Sequence, residues 1–429
     1  MELMRRNKER IKTLAILVLS VSAIFLGLAT GLFETQIPGG GQTVSNWESA
    51  AAPGDIVPAA RPTAAMTTLA AGSHQGHQMG AGLLALYELF AGDLGEALGS
   101  SGPPAQVTRE AWESALSAPG VFFHYDLALP GAVLAHWLGT EAGNATGLMQ
   151  LLYLSAGEET VYLYFMGPDG VPYRSETAAS PEALRGSLDR LEANGARYGF
   201  QDAVYTGPEP DTILLLSYDE IPLIYGHNAI GAIYGQMEAF LGHLGLNPAL
   251  VRYMDEAGGR TIVEDGATLR LNENGMITFL CRDDSPRLTV LSEGLPDLAG
   301  AIETARRIIS RLGFSAGEAE LLLTDWSYGG ETFILQFRYY IDGLPIWTEY
   351  PAATVVISGR YIRDISFLAR SFYRSGRYGA VLPKTQAAAA AAEARLQLSY
   401  APPGADPSLG REPVEFLPQW LLVGGSLHG

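Results

Sequence analysis

Seven histidines, one cysteine and three lysines bound the chemistry open to this 429-residue chain. His74 and His77 have a spacing that could seat a metal ion, but they sit in a segment of linker composition with no carboxylate or thiolate nearby, which makes a poor site. His124 and His136 flank Asp126, the residue types of a general base and its orienter, although histidines at strand ends or on the surface account for the pattern more simply. Glu158-Glu159, Asp219-Glu220, Glu264-Asp265 and Asp283-Asp284 are carboxylate doublets. A glycosidase needs its two acids across a cleft, however, and neighbours along a strand point to opposite faces, so solvated loops explain these pairs better. Lysine occurs only at positions 8, 12 and 384, which excludes a phosphate loop ending in Gly-Lys-Ser/Thr and leaves no Ser-x-x-Lys nucleophile. Gly-x-Ser-x-Gly, His-Glu-x-x-His and Asp-x-Asp-x-Asp patterns are absent from the sequence. Trp326, Trp347 and Trp420 could stack on peptide or glycan if they clustered on a surface, but such residues more often fill a core. Cys281, the single cysteine, excludes an internal disulfide framework and a lipidated N-terminal cysteine. The expectation is a protein that is not an enzyme and needs no cofactor and no metal.

The strongest pattern lies at the N-terminus. Thr13 to Leu32 carries no charged residue, and a helix of that length spans about 30 Å at roughly 1.5 Å per residue, the thickness of a hydrocarbon core. Arg5, Arg6, Lys8, Arg10 and Lys12 precede it, so the positive-inside bias places the N-terminus in the cytoplasm and the bulk outside, as a single-pass protein of the cell membrane. The run is longer than the apolar region of a cleaved signal peptide and ends without a small-x-small site, which favours a retained anchor. Ala23, Gly27 and Gly31 recur at four-residue spacing and could let another membrane helix approach closely. Beyond residue 12 the chain holds 23 basic and 44 acidic side chains, a net charge of −21. That surface repels phosphate backbones, so the lipid bilayer is an expected partner and nucleic acid is not.

Behind the 1–12 leader and the 13–32 span, residues 33–80 are rich in Gly, Pro, Ala, Ser and Thr and read as a flexible linker. Three α+β regions of antiparallel sheets with packed helices are expected at 81–205, 206–292 and 295–429. In the first, Gly80 to Leu98 has helical spacing, Thr108 and Ser180-Pro181 cap further helices, and Gly167 to Gly170 forms a turn. In the second, a helix near Ala229 to Leu244 precedes short strands with a hairpin turn at Asn274-Gly275. In the third, a helix opens at Pro296. Phe333, Leu335, Phe337, Tyr339 and Ile341 then alternate along a strand, and Asp342-Gly343 turns the chain. Leu244-Gly245-Leu246-Asn247 and Leu312-Gly313-Phe314-Ser315 both end a helix before strands, which suggests a diverged duplication. Thr385 is expected to cap an alanine-rich helix reaching Leu398, and Phe416 to Val423 to form a final edge strand, because Pro418 cannot donate to a ladder.

The order of these pieces resembles the YycH and YycI family of membrane-anchored extracytoplasmic regulators of a cell-wall sensor histidine kinase in Gram-positive bacteria. The likeness rests on the basic leader and single span. It rests also on Asn247-Pro248 through Val251-Arg252-Tyr253 to Thr261-Ile262-Val263-Glu264-Asp265-Gly266 before Leu269-Arg270-Leu271, on Phe337 to Ile346, and on Pro418-Gln419-Trp420. The resemblance implies an α+β ectodomain whose later parts are cystatin-like or PepSY-like units. It implies modulation of a two-component system controlling cell-wall metabolism, with a membrane sensor histidine kinase and a second anchored regulator as partners. The alternatives from the residues alone are an extracytoplasmic enzyme or inhibitor, or a ligand-binding module, acting at the cell wall.

Overall fold

The computed structural model describes residues 58–70, 72–202, 211–215, 220–282, 286–290, 294–312, 315–384, 386–387, 395–403 and 413–423. The Thr13–Leu32 run, with Ala23, Gly27 and Gly31, lies outside them, and among the described residues no helix is long and apolar enough to cross a membrane. The described residues are α+β, with antiparallel sheets and seven helices.

The first seven-stranded sheet is built from β1 (Ala64–Thr68), β2 (His74–His77), β3 (Ala105–Gln106), β4 (Gly120–Pro130), β5 (Leu148–Ala156), β6 (Val161–Met166) and β7 (Pro172–Glu176), in the order β2-β1-β4-β5-β6-β7-β3. Because strand side chains alternate, one face presents Ala65, Val121, Phe123, Leu152, Leu154 and Leu163, and helix α1 (Gly80–Gly99) covers it with Leu83, Leu86, Phe90 and Leu94. The opposite face presents Met66, Phe122 and Tyr153 to Trp112 and Leu116 of α2 (Arg109–Leu116) and to Tyr198. Thr108 caps α2 by accepting from the Ala111 amide at 3.2 Å. Helices α3 (Gly131–Trp137) and α4 (Pro181–Leu188) follow, the latter capped by Ser180 with Pro181 in its first turn.

The linker expected over 33–80 is therefore corrected. Its last part contributes the strands β1 and β2, with Ala65, Met66, Thr67 and Thr68 fully buried. Short apolar residues hid this strand, since Ala and Thr carry little periodic signal yet fit the crowded space between two sheet neighbours.

Beyond the two-stranded pair β8 (Arg197–Tyr198) and β9 (Ile213–Leu214), strand β10 (Ile221–Asn228) leads into two short helices, α5 (Ile230–Gly235) and α6 (Met237–His243), where one was expected. Gln236 leaves helical geometry between them (φ −128°, ψ 31°). A meander of β11 (Arg252–Glu256), β12 (Gly259–Glu264), β13 (Ala267–Asn272) and β14 (Met276–Cys281) follows. The second passage has the same plan. Helix α7 (Leu298–Arg311), capped by Asp297 rather than opened at Pro296, precedes β15 (Glu320–Gly329), β16 (Thr332–Ile341), the two-residue β17 (Leu344–Pro345), β18 (Ala353–Ser358) and β19 (Tyr361–Leu368). Asp342 (φ 52°) and Gly343 (φ 77°) both take the left-handed conformation that a tight hairpin turn requires.

The two meanders are not separate domains. Their last strands, β14 and β19, pair antiparallel, giving one sheet in the order β11-β12-β13-β14-β19-β18-β16-β15 with β17 on β16. An apolar row runs across the seam: Ile262, Leu269, Phe279, Ile365, Val355 and Leu335 are successive cross-strand partners, each at most 2% exposed. Two four-stranded meanders, each preceded by helix, are thus joined tail to tail. Strand β10 likewise crosses the expected boundary to pair with β20 (Arg370–Gly379) and β22 (Val414–Val423), and with β21 (Arg395–Ala401) on the far side of β22 they form a four-stranded sheet, β20-β10-β22-β21.

Two further expectations change here. Strand β21 (Arg395–Ala401) occupies the end of the expected alanine-rich helix, whose Thr385 cap lies outside the described residues. Strand β22 is an inner strand, and its pairing with β10 stops at Phe416, two residues before Pro418. The proline thus sits where no β10 ladder bond is required.

Candidate functional site

Among the described residues, the catalytic and metal combinations allowed by the sequence are not brought together. His74 is buried on β2, where its Nδ1 lies 3.1 Å from the Thr68 hydroxyl and its ring meets Tyr198 edge-on. Burial lowers its pKa, with hydrogen bonding from Thr67 and Gln201 opposing. His77 is three residues further along the same strand and so faces the other side of the sheet, where a side chain at Gly82 would meet its ring. Among the described residues no group of three or more His, Cys, Asp or Glu side chains could hold a metal ion. His136 is exposed on α3, while Asp126 accepts from Thr63 Oγ1 at 3.2 Å and from Gln397 Nε2 at 2.8 Å.

The two fully described carboxylate doublets sit at turns. Glu158-Glu159 lies between β5 and β6, Glu264 is held by Arg287 at 3.1 Å beside a largely exposed Asp265, and Asp219 and Asp283-Asp284 lie outside the described residues. The tryptophans have separate neighbours. Trp326 donates to the Ala128 carbonyl at 3.0 Å, Trp420 to that of Leu382 at 2.8 Å, and Trp347 is half-exposed beside Arg338.

What the fold does assemble is a cleft of about 350 Å³ between the first sheet with its helix α1 and the strands β15, β16 and β20. Its two sides are tied together by backbone bonds from Leu323 N to Ala59 O and from Gly80 N to Asp342 O, both 2.7 Å. Leu83, Leu84, Leu127, Leu322 and Leu323 supply an apolar wall, with the phenols of Tyr87, Tyr125 and Tyr340 set into it. Burial pushes all three phenols up, so they remain protonated at neutral pH and offer hydroxyls rather than charge.

Ion pairs line the mouth. Arg61 Nη1 lies 2.8 Å from Glu320 Oε2. Arg374 grips Asp342 with two bonds of 2.6 and 3.2 Å and also bonds to Glu318. Burial raises the Glu320 pKa, the Arg61 guanidinium pulls it back down, and the neighbouring Asp342 charge raises it again. The cleft thus combines an apolar floor, phenol hydroxyls and a charged rim. Reading the sequence could not have found it, because Arg61 and Glu320 stand 259 positions apart and Arg61 falls in the supposed linker.

No protein-family model matches the sequence, and no curated protein matches it. Among solved structures, the crystal structure of YycH from Bacillus subtilis matches over 84% of this chain and 95% of that one, with a TM-score of 0.52 and 12% identity. The chain has the YycH fold. At that identity the likeness is one of architecture, and it bears out at that level the resemblance drawn from the order of motifs. Ala23, Gly27 and Gly31 lie ahead of the described residues.

Proposed function

We propose that this protein is a membrane-anchored extracytoplasmic regulator that modulates a sensor histidine kinase of a two-component system controlling cell-wall metabolism. The observation that carries the reading is the YycH fold running through 84% of the chain. The uncharged run from Thr13 to Leu32 behind five basic residues supports a single-pass anchor with the bulk of the chain outside the cell membrane. In this reading the anchor packs beside kinase helices through Ala23, Gly27 and Gly31, a second anchored regulator completes the assembly, and the ectodomain turns over no wall polymer.

Coupling of about 1 to 3 kcal/mol between ectodomain and kinase suffices to change output by roughly 5- to 150-fold. Replacing Gly27 and Gly31 together by leucine is expected to shift a reporter of the kinase's target promoter about fivefold or more, because close helix approach requires small side chains. The melting curve of the ectodomain stays as it was. Unchanged reporter output in cells that carry the variant at normal levels removes the proposed contact face.

A ligand-binding role is favoured independently by the cleft at the junction of the two sheets, and it is compatible with regulation. A guest held by both walls would set how they sit, and through them what the anchor presents to its partner.

A further inference from the structure

The cleft joins apolar walls to a rim in which carboxylates outnumber cations. Among its described lining residues, Asp126, Glu318, Glu320 and Asp342 face Arg61 and Arg374, a net charge of −2 at neutral pH. The two arginines are already engaged, Arg61 with Glu320 and Arg374 with both Glu318 and Asp342. The side chains of Arg61 and Arg374 keep 30% and 42% of their exposure and those of Glu320, Glu318 and Asp342 keep 37%, 37% and 33%, so the rim reaches solvent and the arginines can swing outward on their long stems.

We propose that this cleft is a binding site for an aliphatic cation, an ammonium or guanidinium head carried on an apolar stem. An anion entering here would face four carboxylates. A neutral apolar guest would expel water from the rim while leaving its net negative charge uncompensated, which is costly. A cation on a stem does both things the walls require. The stem lies against Leu83, Leu84, Leu322 and Leu323, and the head supplies counter-charge to Glu320 and Asp342. Burial already disfavours the ionised form of Glu320, so its carboxylate has charge stabilisation to gain. A volume of about 350 Å³ is at the small end of ligand pockets, which suits a stem of a few carbons and not a polymer chain or a lipid tail. A free diamine and a lysine side chain flanked by apolar residues share this chemistry. The site stands whether or not a kinase is the partner.

The test is saturation-transfer NMR titration of the full chain in nanodiscs with 1,5-diaminopentane, 1,5-pentanediol, glutarate and the peptide acetyl-Leu-Lys-Leu-amide. One or both cations should bind about tenfold more tightly than the diol or the dicarboxylate, as expected for a partly desolvated charge pair worth about 1.4 kcal/mol. Tighter binding of the peptide identifies a basic peptide as the source of the head group, and tighter binding of the diamine identifies a free amine. Glu320→Gln and Asp342→Asn should each weaken the cation about five- to tenfold with unchanged melting, since asparagine tolerates the left-handed backbone at position 342. Equal binding of the diol or glutarate, no saturation by either cation up to about 10 mM, or unchanged affinity in both variants overturns the proposal.

Discussion

Deleting residues 1–80 is expected to abolish folding, whereas deleting residues 1–43 leaves the rest of the chain folded. The described residues, all beyond residue 43, fall in one compact unit, and the segment between the two cut points contains β1 and β2. Strand β1 lies between β2 and β4, pairing with β4 at five positions from Ala64↔His124 to Thr68↔Gly120. Removing it leaves a row of β4 backbone groups unpaired in the interior, at about 1 to 3 kcal/mol for each group that water cannot reach. It also opens both faces at once, because Ala65 packs under α1 while Met66 packs with Trp112 and Phe122. Losing a buried methionine alone costs about 2 to 5 kcal/mol. Together these losses exceed the roughly 5 to 15 kcal/mol that holds a domain folded. Circular dichroism melting and size-exclusion chromatography of the 44–429 and 81–429 fragments decide the matter. A cooperative melt is expected for the longer and aggregation without one for the shorter, and equal melting midpoints would show that β1 is dispensable.

Placing a charge at the seam of the large sheet should unfold both meanders together. Phe279 is 1% exposed and sits between Leu269 on β13 and Ile365 on β19, in the middle of the six-strand apolar row. Phe279→Asp removes packing worth about 3 to 5 kcal/mol and adds a carboxylate whose desolvation costs several kcal/mol more. Were the regions 206–292 and 295–429 independent, only the first would be lost. Since β14 and β19 share backbone bonds and one core, amide exchange should rise across α7, β16 and β18 as well as β12 to β14. Protection retained at Phe337 and Val355 in the variant would argue for two domains after all.

Much of this architecture was legible wherever local chemistry dictates it. Thr108 and Ser180 cap their helices as expected, Asp342-Gly343 makes the turn that its two left-handed residues suit, and the alternation from Phe333 to Ile341 faces inward throughout. What escaped notice depends on distant partners. Strand β1 spells Ala-Ala-Met-Thr-Thr, a string with no period of its own that becomes a strand because β2 and β4 flank it. Strand β11 is exposed along its whole length and carries no buried face for a pattern to reveal. The seam between β14 and β19 is a pairing of strands more than 80 positions apart, as Leu280↔Asp364 shows, and each strand alone looks like the end of its own domain. For the cleft the reason is the same. Arg61, Tyr87, Glu320, Asp342 and Arg374 belong to five separate stretches of chain, and no spacing rule links them.

The regulatory reading requires that the anchored protein change what a kinase does, through contacts that need no catalysis by the protein itself. The direct measurement is the autophosphorylation rate of the cell-wall sensor histidine kinase reconstituted in liposomes, alone and with the full-length chain inserted beside it. A rate changed at least fivefold, in either direction, and restored to the kinase-alone value when only the 44–429 fragment is supplied in solution, is the result expected from coupling of about 1 kcal/mol or more delivered through the anchor. An identical rate with and without the full-length chain, at a density where the two demonstrably share the same vesicles, contradicts it.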